Sequence, residues 1–214
     1  MKIKLVSIGA VALGLVALAW TDPVLKLRGD RFKPLSYDQL TPQQKTMIDH
    51  LLAGDRRGST DGPFNVFLRS PEMGDLAQEL GAKVRFHSSI PRKLNEMAII
   101  ITARFWTAQF EWQAHHRGAV QAGLSESIVS AIADGKRPTG MQPDEEAVYN
   151  FCHELLTTKQ VSDANFQAVV SKFGERGAAD LINAMGYYTL VSLALNTDRY
   201  PLPEGAVAEL KPLK

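Results

Sequence analysis

Apolar residues along most of the chain recur at the three- and four-residue spacings of amphipathic helices. No alternating apolar run bounded by hairpin turns indicates a β-strand. The sequence therefore predicts an all-α protein, folded as a compact helical bundle. The predicted helices cover about residues 42–53, 71–86, 91–105, 108–122, 126–134, 143–155, 163–174 and 177–196.

The spacing also assigns an inward face to each helix. The third predicted helix is apolar on nearly every side, which is typical of a buried helix, and it contains the acidic residue Glu96. The inward faces of the second and the last helix are expected to consist of Leu76, Leu80, Val84 and Phe86, and of Leu181, Ile182, Met185, Leu190 and Leu193.

The first 19 residues have the layout of a secretory signal peptide: Lys2 and Lys4, then an uninterrupted apolar run, then Ala17-Leu18-Ala19. An uncleaved anchor is the alternative, but the apolar run is shorter than the ~20 residues that span a bilayer. We therefore expect export, to the periplasm. The remaining chain is expected to comprise an extended segment (20–40), a single helical domain (41–200) and an extended tail (201–214).

Composition narrows the possible functions. The net charge of +1 falls to −1 without residues 1–19, and no cluster of basic and aromatic residues suggests binding to nucleic acid or to a membrane surface. Cys152 is the single cysteine, which excludes a disulfide within the chain, and its apolar neighbours indicate a core position. No glycine-rich phosphate loop is present, so no nucleotide cofactor is expected.

Glu111 and His115 are four residues apart and therefore share one face of their helix. Phe110 and Trp112 flank the glutamate. Apolar rings raise the pKa of a neighbouring carboxyl group, whereas an imidazolium lowers it. Such opposed influences keep an acid and a base ready for proton transfer near neutral pH. We expect both side chains to face a sheltered cavity, beside Glu96 from the preceding apolar helix.

A longer pattern surrounds this pair. Glu111-Trp-x-x-His115 follows Glu96 and is itself followed, at four-residue steps, by Ala119 and Gly123. This block resembles the carboxymuconolactone decarboxylase-like family, which also contains alkyl hydroperoxidase D, and the similarity extends over about residues 60 to 195. The resemblance implies the helical fold of that family and a homo-oligomer, either a trimer or a hexamer.

In the peroxidase branch of that family, a glutamate precedes a CxxC pair, and a histidine follows the second cysteine by four residues. By this pattern Glu96 and His115 occupy family positions, whereas Ala108 and Glu111 stand in place of the two cysteines. Peroxide reduction of that type needs an attacking thiolate and a resolving thiol. The sequence therefore disfavours a hydroperoxide reductase.

The decarboxylase branch implies carboxy-lyase chemistry on a small carboxylic acid or lactone. Loss of CO2 leaves an enolate-like carbon that must be protonated, and a positioned acid accelerates such a step by about 10²–10⁴-fold. Glu111, or His115 as imidazolium, is the expected proton donor. Glu96 is expected to orient His115 or to act as a second acid.

Substrate contacts are expected from Arg92, Phe110 and Trp112. Arg92 lies one turn before Glu96 and could pair with it or hold a substrate carboxylate. Tyr187 and Tyr188 are expected to form core or pocket wall.

Two other interpretations stay open. A metal could bind to His115, His116 and the two glutamates, but adjacent residues on a helix diverge by about 100°, so we expect no metal. Alternatively, the protein is a non-catalytic binding or assembly module in which Glu96 and His115 form a buried structural pair. A cavity that reaches the side chains distinguishes an enzyme from such a module.

Overall fold

A computed structural model describes residues 22–56 and 58–212, and within them the chain forms eight α-helices and no β-strand. The all-α class predicted from the sequence is confirmed. The helices are α1 (Pro42–Ala53), α2 (Phe64–Phe67), α3 (Pro71–Phe86), α4 (Arg92–Phe105), α5 (Gln109–Gln121), α6 (Glu126–Ala133), α7 (Pro143–Thr158) and α8 (Asp163–Asp198).

The helix ends follow signals present in the sequence. The Thr41 hydroxyl accepts a hydrogen bond from the backbone N–H of Gln44 at 3.3 Å and caps α1. Ser125 and Ser162 cap α6 and α8 in the same way. Gly174 leaves the helical conformation, with φ 69° and ψ 175°, and so breaks α8 where the sequence predicted a helix end.

Helix α4 is the centre of the bundle. It packs against α5, α6, α7 and α8, and every residue from Leu94 to Arg104 is buried. One apolar cluster fills the space between α4 and helices α5 to α8, and a second joins α1, α2, α3 and the last third of α8. Each buried aliphatic side chain contributes about 1.5–3 kcal/mol. This burial holds Glu96 inside the protein.

The predicted inward face of α3 is wrong for Leu76, Leu80 and Phe86, which are 66%, 42% and 45% exposed, whereas Val84 is buried as predicted. Close packing of the backbone decides the orientation instead. A β-carbon at position 74 would overlap Phe67 of α2, and one at position 81 would overlap Tyr187 of α8. The buried residues of α3 are Gly74, Gln78, Gly81 and Val84.

The same correction applies to part of α8. Leu181 and Met185 are buried as predicted, but Ile182, Leu190 and Leu193 are 52%, 43% and 44% exposed. The inward face of the last third of α8 is occupied instead by small and aromatic residues that pack against α3 and α4. These residues include Ala184, Tyr187, Tyr188 and Val191.

The C-terminal tail packs on the helical bundle. The predicted signal peptide, residues 1–19, lies outside the described residues. Between residues 22 and 212, no helix combines the length and the apolar character needed to cross a membrane. The tail from residue 201 lies along α5, held by the Gln109 side chain, which binds the backbone of Glu209 and Leu210.

Candidate active site

The imidazole of His115 lies between two carboxyl groups. Its Nδ1 is 2.7 Å from Oε2 of Glu96 on α4, and its Nε2 is 3.5 Å from Oε2 of Glu111 on α5. The first distance is a short hydrogen bond, whereas the second exceeds ordinary hydrogen-bond length. The edge of the ring also packs on Tyr188, with 5.0 Å between ring centroids. The three residues that the sequence singled out are therefore in contact.

Two features of the helices produce this contact. The four-residue spacing places Glu111 and His115 one above the other on α5. Gly118, one turn further along α5, faces the Glu96 carboxyl, and a β-carbon there would sit 3.6 Å from it. That distance is ordinary van der Waals contact, so α5 packs closely against the Glu96 carboxyl at this position. All three site residues are at most 6% exposed.

The surroundings push the two carboxyl pKa values in opposite directions. Burial acts to raise the pKa of Glu96, but the hydrogen bond and charge of His115, with the charges of Arg85 and Arg92, outweigh burial and lower it. Burial raises the pKa of Glu111, and the neighbouring positive charges do not reverse this effect. The site thus favours the charged form of Glu96 and disfavours the charged form of Glu111.

These charge states assign the tautomer of His115. An ionised carboxylate only accepts hydrogen bonds, so the Nδ1–H of His115 donates to Glu96. In the neutral imidazole, Nε2 is then a lone-pair acceptor that faces Glu111. Oε2 of Glu111 is buried and makes no hydrogen bond within the described structure.

A cavity of about 170 Å³ reaches Glu111 and His115. It lies among α5, α8, the end of α3 and the loop that follows α1. Its wall is formed by Arg56, Ser59, Asp61, Gly62, Pro63, Phe64, Arg85, Phe110, Glu111, Ala114, His115, Tyr187, Tyr188 and Val191. Glu96 is behind His115 and faces a separate groove that Arg85 and Arg92 also line.

Phe110 lines the cavity, but the other two expected substrate contacts are corrected. Trp112 follows Glu111 by one residue and so points about 100° away on the helix. Its ring is buried in the core, and its indole N–H donates to Glu209 of the tail at 3.0 Å. Arg92 lies in the first turn of α4, exposed, beside the outer groove rather than the cavity, and forms no ion pair with Glu96.

Sequence reasoning missed two cavity residues, Arg56 and Arg85. Arg56 belongs to the loop after α1 and Arg85 to the last turn of α3. No local motif marks either one, because their approach to Glu111 depends on how α3 packs against α8. Tyr187 and Tyr188 form cavity wall, as expected.

The remaining candidates for chemistry lie elsewhere. Cys152 is fully buried in the core between α4 and α7, does not line the cavity, and has its pKa raised to about 12 by burial. Among the described residues, no group of three or more His, Cys, Asp or Glu side chains is arranged to hold a metal ion.

A scan against protein-family models gives no match to this chain, and a search of curated proteins gives none either.

Proposed function

We propose that this protein is an acid–base enzyme that transfers protons to or from a small carboxylic acid or lactone in the cavity beside Glu111 and His115. The observation that carries the proposal is the position of one imidazole between two carboxyl groups, of which Glu111 lines a cavity. Paired groups whose environments push their pKa values apart are typical of acid–base sites. A purely structural pair requires no cavity at its side, whereas this one adjoins a cavity of about 170 Å³.

In this proposal each residue has one role. Glu111, neutral and at the cavity wall, is the proton donor to a carbon that carries negative charge. Glu96 is a positioning residue, because it reaches the cavity only through His115 and fixes the tautomer of that ring. His115 presents the Nε2 lone pair toward Glu111. After Glu111 has given up its proton, Nε2 takes a proton from solvent and passes it to the Glu111 carboxylate.

Decarboxylation is the reaction class that these roles fit best. The bond between the α-carbon and a carboxylate breaks, CO2 leaves, and the electron pair stays on the carbon as an enolate conjugated with a neighbouring carbonyl. Glu111 then delivers its proton to that carbon. This choice is supported by the resemblance of the Glu111-Trp-x-x-His115 block, with Ala119 and Gly123 after it, to the carboxymuconolactone decarboxylase-like family.

Thiol peroxidase chemistry fits the site poorly. The chain contains one cysteine, and Cys152 is buried away from the cavity with its pKa raised to about 12. A reactive thiol is instead partly exposed and has a lowered pKa. Export and a trimeric or hexameric assembly stay predictions from the sequence and from the resemblance.

A substrate screen tests the proposal. Small keto acids and carboxylated lactones are incubated in deuterated buffer, and CO2 release and deuterium at carbon are measured for the parent, Glu111→Gln and His115→Ala. We expect turnover to fall by at least about 10²-fold in both variants. Glu126→Gln, at an exposed position of α6, is the matched control and should equal the parent. Equal rates in all four proteins would exclude these residues from the mechanism.

A further inference from the structure

We infer that Arg56 and Arg85 form an anion-binding pair at the mouth of the cavity and hold the carboxylate of a ligand whose apolar body fills the interior. The identification of that ligand as the substrate rests on the proposed function. Both arginines line the inner cavity and also an adjoining groove of about 690 Å³ that Asp55 and His87 border. They therefore stand where a ligand passes from the groove to Glu111.

Arg56 is fixed in place before any ligand arrives. Its guanidinium lies 5.1 Å from the ring centroid of Phe64, and its Nη2 donates to the Tyr187 hydroxyl at 3.1 Å. Its Nε is buried and makes no hydrogen bond within the described structure. A guanidinium held by an aromatic face and by one hydrogen bond keeps its other N–H groups for a carboxylate.

Arg85 also lines both the cavity and the adjoining groove. It ends α3 next to Phe86, with 5.5 Å between its Cζ and that ring, and its side chain is exposed. In the part of the chain that the structure describes, neither Arg85 nor Arg56 lies within 4.0 Å of a carboxylate. Both positive charges are therefore left for a ligand.

The other charged groups of the wall do not cancel them. Asp61 is engaged by Arg28, with an Oδ1 to Nη2 distance of 2.8 Å, and it also accepts from the Tyr200 hydroxyl. Burial raises the pKa of Glu111 and so disfavours its negative charge. The cavity consequently has an excess of positive charge, which selects an anionic ligand.

The size and the apolar wall define the rest of the ligand. A cavity of about 150 Å³ lined by apolar side chains holds one benzene molecule, and the volume here is about 170 Å³. Phe64, Phe110 and Val191 supply apolar surface in the same cavity wall. The matching chemistry is a monocarboxylate with a compact, flat body, for which benzoate is a suitable probe.

Titration calorimetry with benzoate and with neutral benzamide tests the inference on the full-length protein. We expect benzamide to bind at least about tenfold more weakly than benzoate, since it lacks the charge that strengthens hydrogen bonds to arginine. Arg56→Gln and Arg85→Gln should each weaken benzoate binding by about tenfold or more. Arg92→Gln, which alters an arginine outside the cavity, should leave it unchanged.

Three results would overturn the inference: no benzoate binding, equal binding of benzoate and benzamide, or a loss in Arg92→Gln as large as in the other two variants. Thermal unfolding establishes whether each variant is folded. If Arg56→Gln does not fold, Arg85→Gln, which changes an exposed residue, still tests the inference. Glu111→Gln separates this inference from the proposed function, because it should abolish turnover and still bind benzoate. If Glu111→Gln binds benzoate and its turnover is unaffected, the anion site is supported, and Glu111 is excluded as the proton donor.

Discussion

Nδ1 of His115 is 2.7 Å from the Glu96 carboxylate on one side, while Nε2 is 3.5 Å from the Glu111 carboxyl on the other. The imidazole is thus bound tightly by the residue that is remote from the cavity and loosely by the residue that lines it. Loose contact leaves Nε2 and the Glu111 proton accessible to a third group in the cavity. This asymmetry connects the geometry of the site to the proposed proton transfer.

The pH dependence of stability should report on Glu111. Its folded-state pKa is raised, so the folded state binds more protons than the unfolded state above the ordinary carboxyl range. Stability should therefore fall as pH rises from that range through the raised pKa. Glu111→Gln removes this loss, so the variant should be more stable than the parent at neutral and alkaline pH. Urea unfolding of both proteins, from the ordinary carboxyl pKa range to alkaline pH, measures this difference in stability. If the unfolding free energies of the two proteins change with pH in parallel, the raised pKa of Glu111 is contradicted.

The contribution of Glu96 to stability should depend on pH with the opposite sign. Its folded-state pKa is lowered, so its contribution is present above the ordinary carboxyl pKa and is lost as pH falls toward the folded value. Glu96→Gln should cost about 1.5–3 kcal/mol of unfolding free energy at neutral pH, the size of a hydrogen bond to a charged group. The same urea series measures this variant. A Glu96→Gln protein as stable as the parent at neutral pH would show that the carboxylate does not hold His115.

Gly81 should be essential to the packing of α3 against α8. A β-carbon there would overlap the Tyr187 hydroxyl and the Arg56 guanidinium. Gly81→Ala should therefore destabilise the protein by about 1–3 kcal/mol and also weaken benzoate binding. Gly186→Ala is the matched control on α8, since nothing lies within 4 Å of its β-carbon. Gly186→Ala should raise the unfolding free energy by about 0.8–1 kcal/mol, because alanine has a higher helix propensity than glycine. Equal stability of the two variants would refute the close approach.

The C-terminal tail should depend on Gln109. Its side chain accepts from the N–H groups of Glu209 and Leu210 at 3.1 and 3.0 Å and donates to the Leu210 carbonyl at 2.6 Å. Gln109→Ala should raise amide exchange at positions 209 and 210 by about tenfold. Gln121→Ala, at the exposed end of the same helix, is the control and should leave exchange unchanged. Unchanged exchange in Gln109→Ala would show that other contacts hold the tail.

The Cys152 thiol should be inert in the folded protein, because burial raises its pKa to about 12. We expect an aromatic disulfide reagent to label it only after unfolding in urea. Rapid labelling without denaturant would reopen thiol chemistry.

Part of the site follows directly from the sequence. The contact between Glu111 and His115 is fixed by helix geometry, and the burial of Glu96 follows from the apolar helix around it. The meeting of Glu96 with His115 required the resemblance as well, since no local rule pairs two helices. Arg56 and Arg85 were not predictable, because their positions depend on the close packing of α3 on α8 through Gly81.

The errors in the predicted helix faces have the same origin. Apolar periodicity assumes that the more apolar side of a helix faces inward. On α3 the small residues Gly74 and Gly81 face inward instead, because Gly74 lies against the Phe67 backbone and Gly81 against the Tyr187 side chain. Leu76 and Leu80 are exposed as a result. Trp112 was misassigned because its ring lies on the side of α5 that packs into the core and reaches Glu209 of the tail, which its position beside Glu111 does not reveal.

We expect Glu111 to be protonated, and Glu96 ionised, at neutral pH. Infrared spectroscopy of protein labelled with ¹³C at glutamate carboxyl carbons measures both states, by comparing the parent with Glu111→Gln and Glu96→Gln. A protonated-carboxyl band should be present in the parent, persist in Glu96→Gln and disappear in Glu111→Gln. A parent spectrum without that band, or one whose band persists in Glu111→Gln, would contradict this expectation.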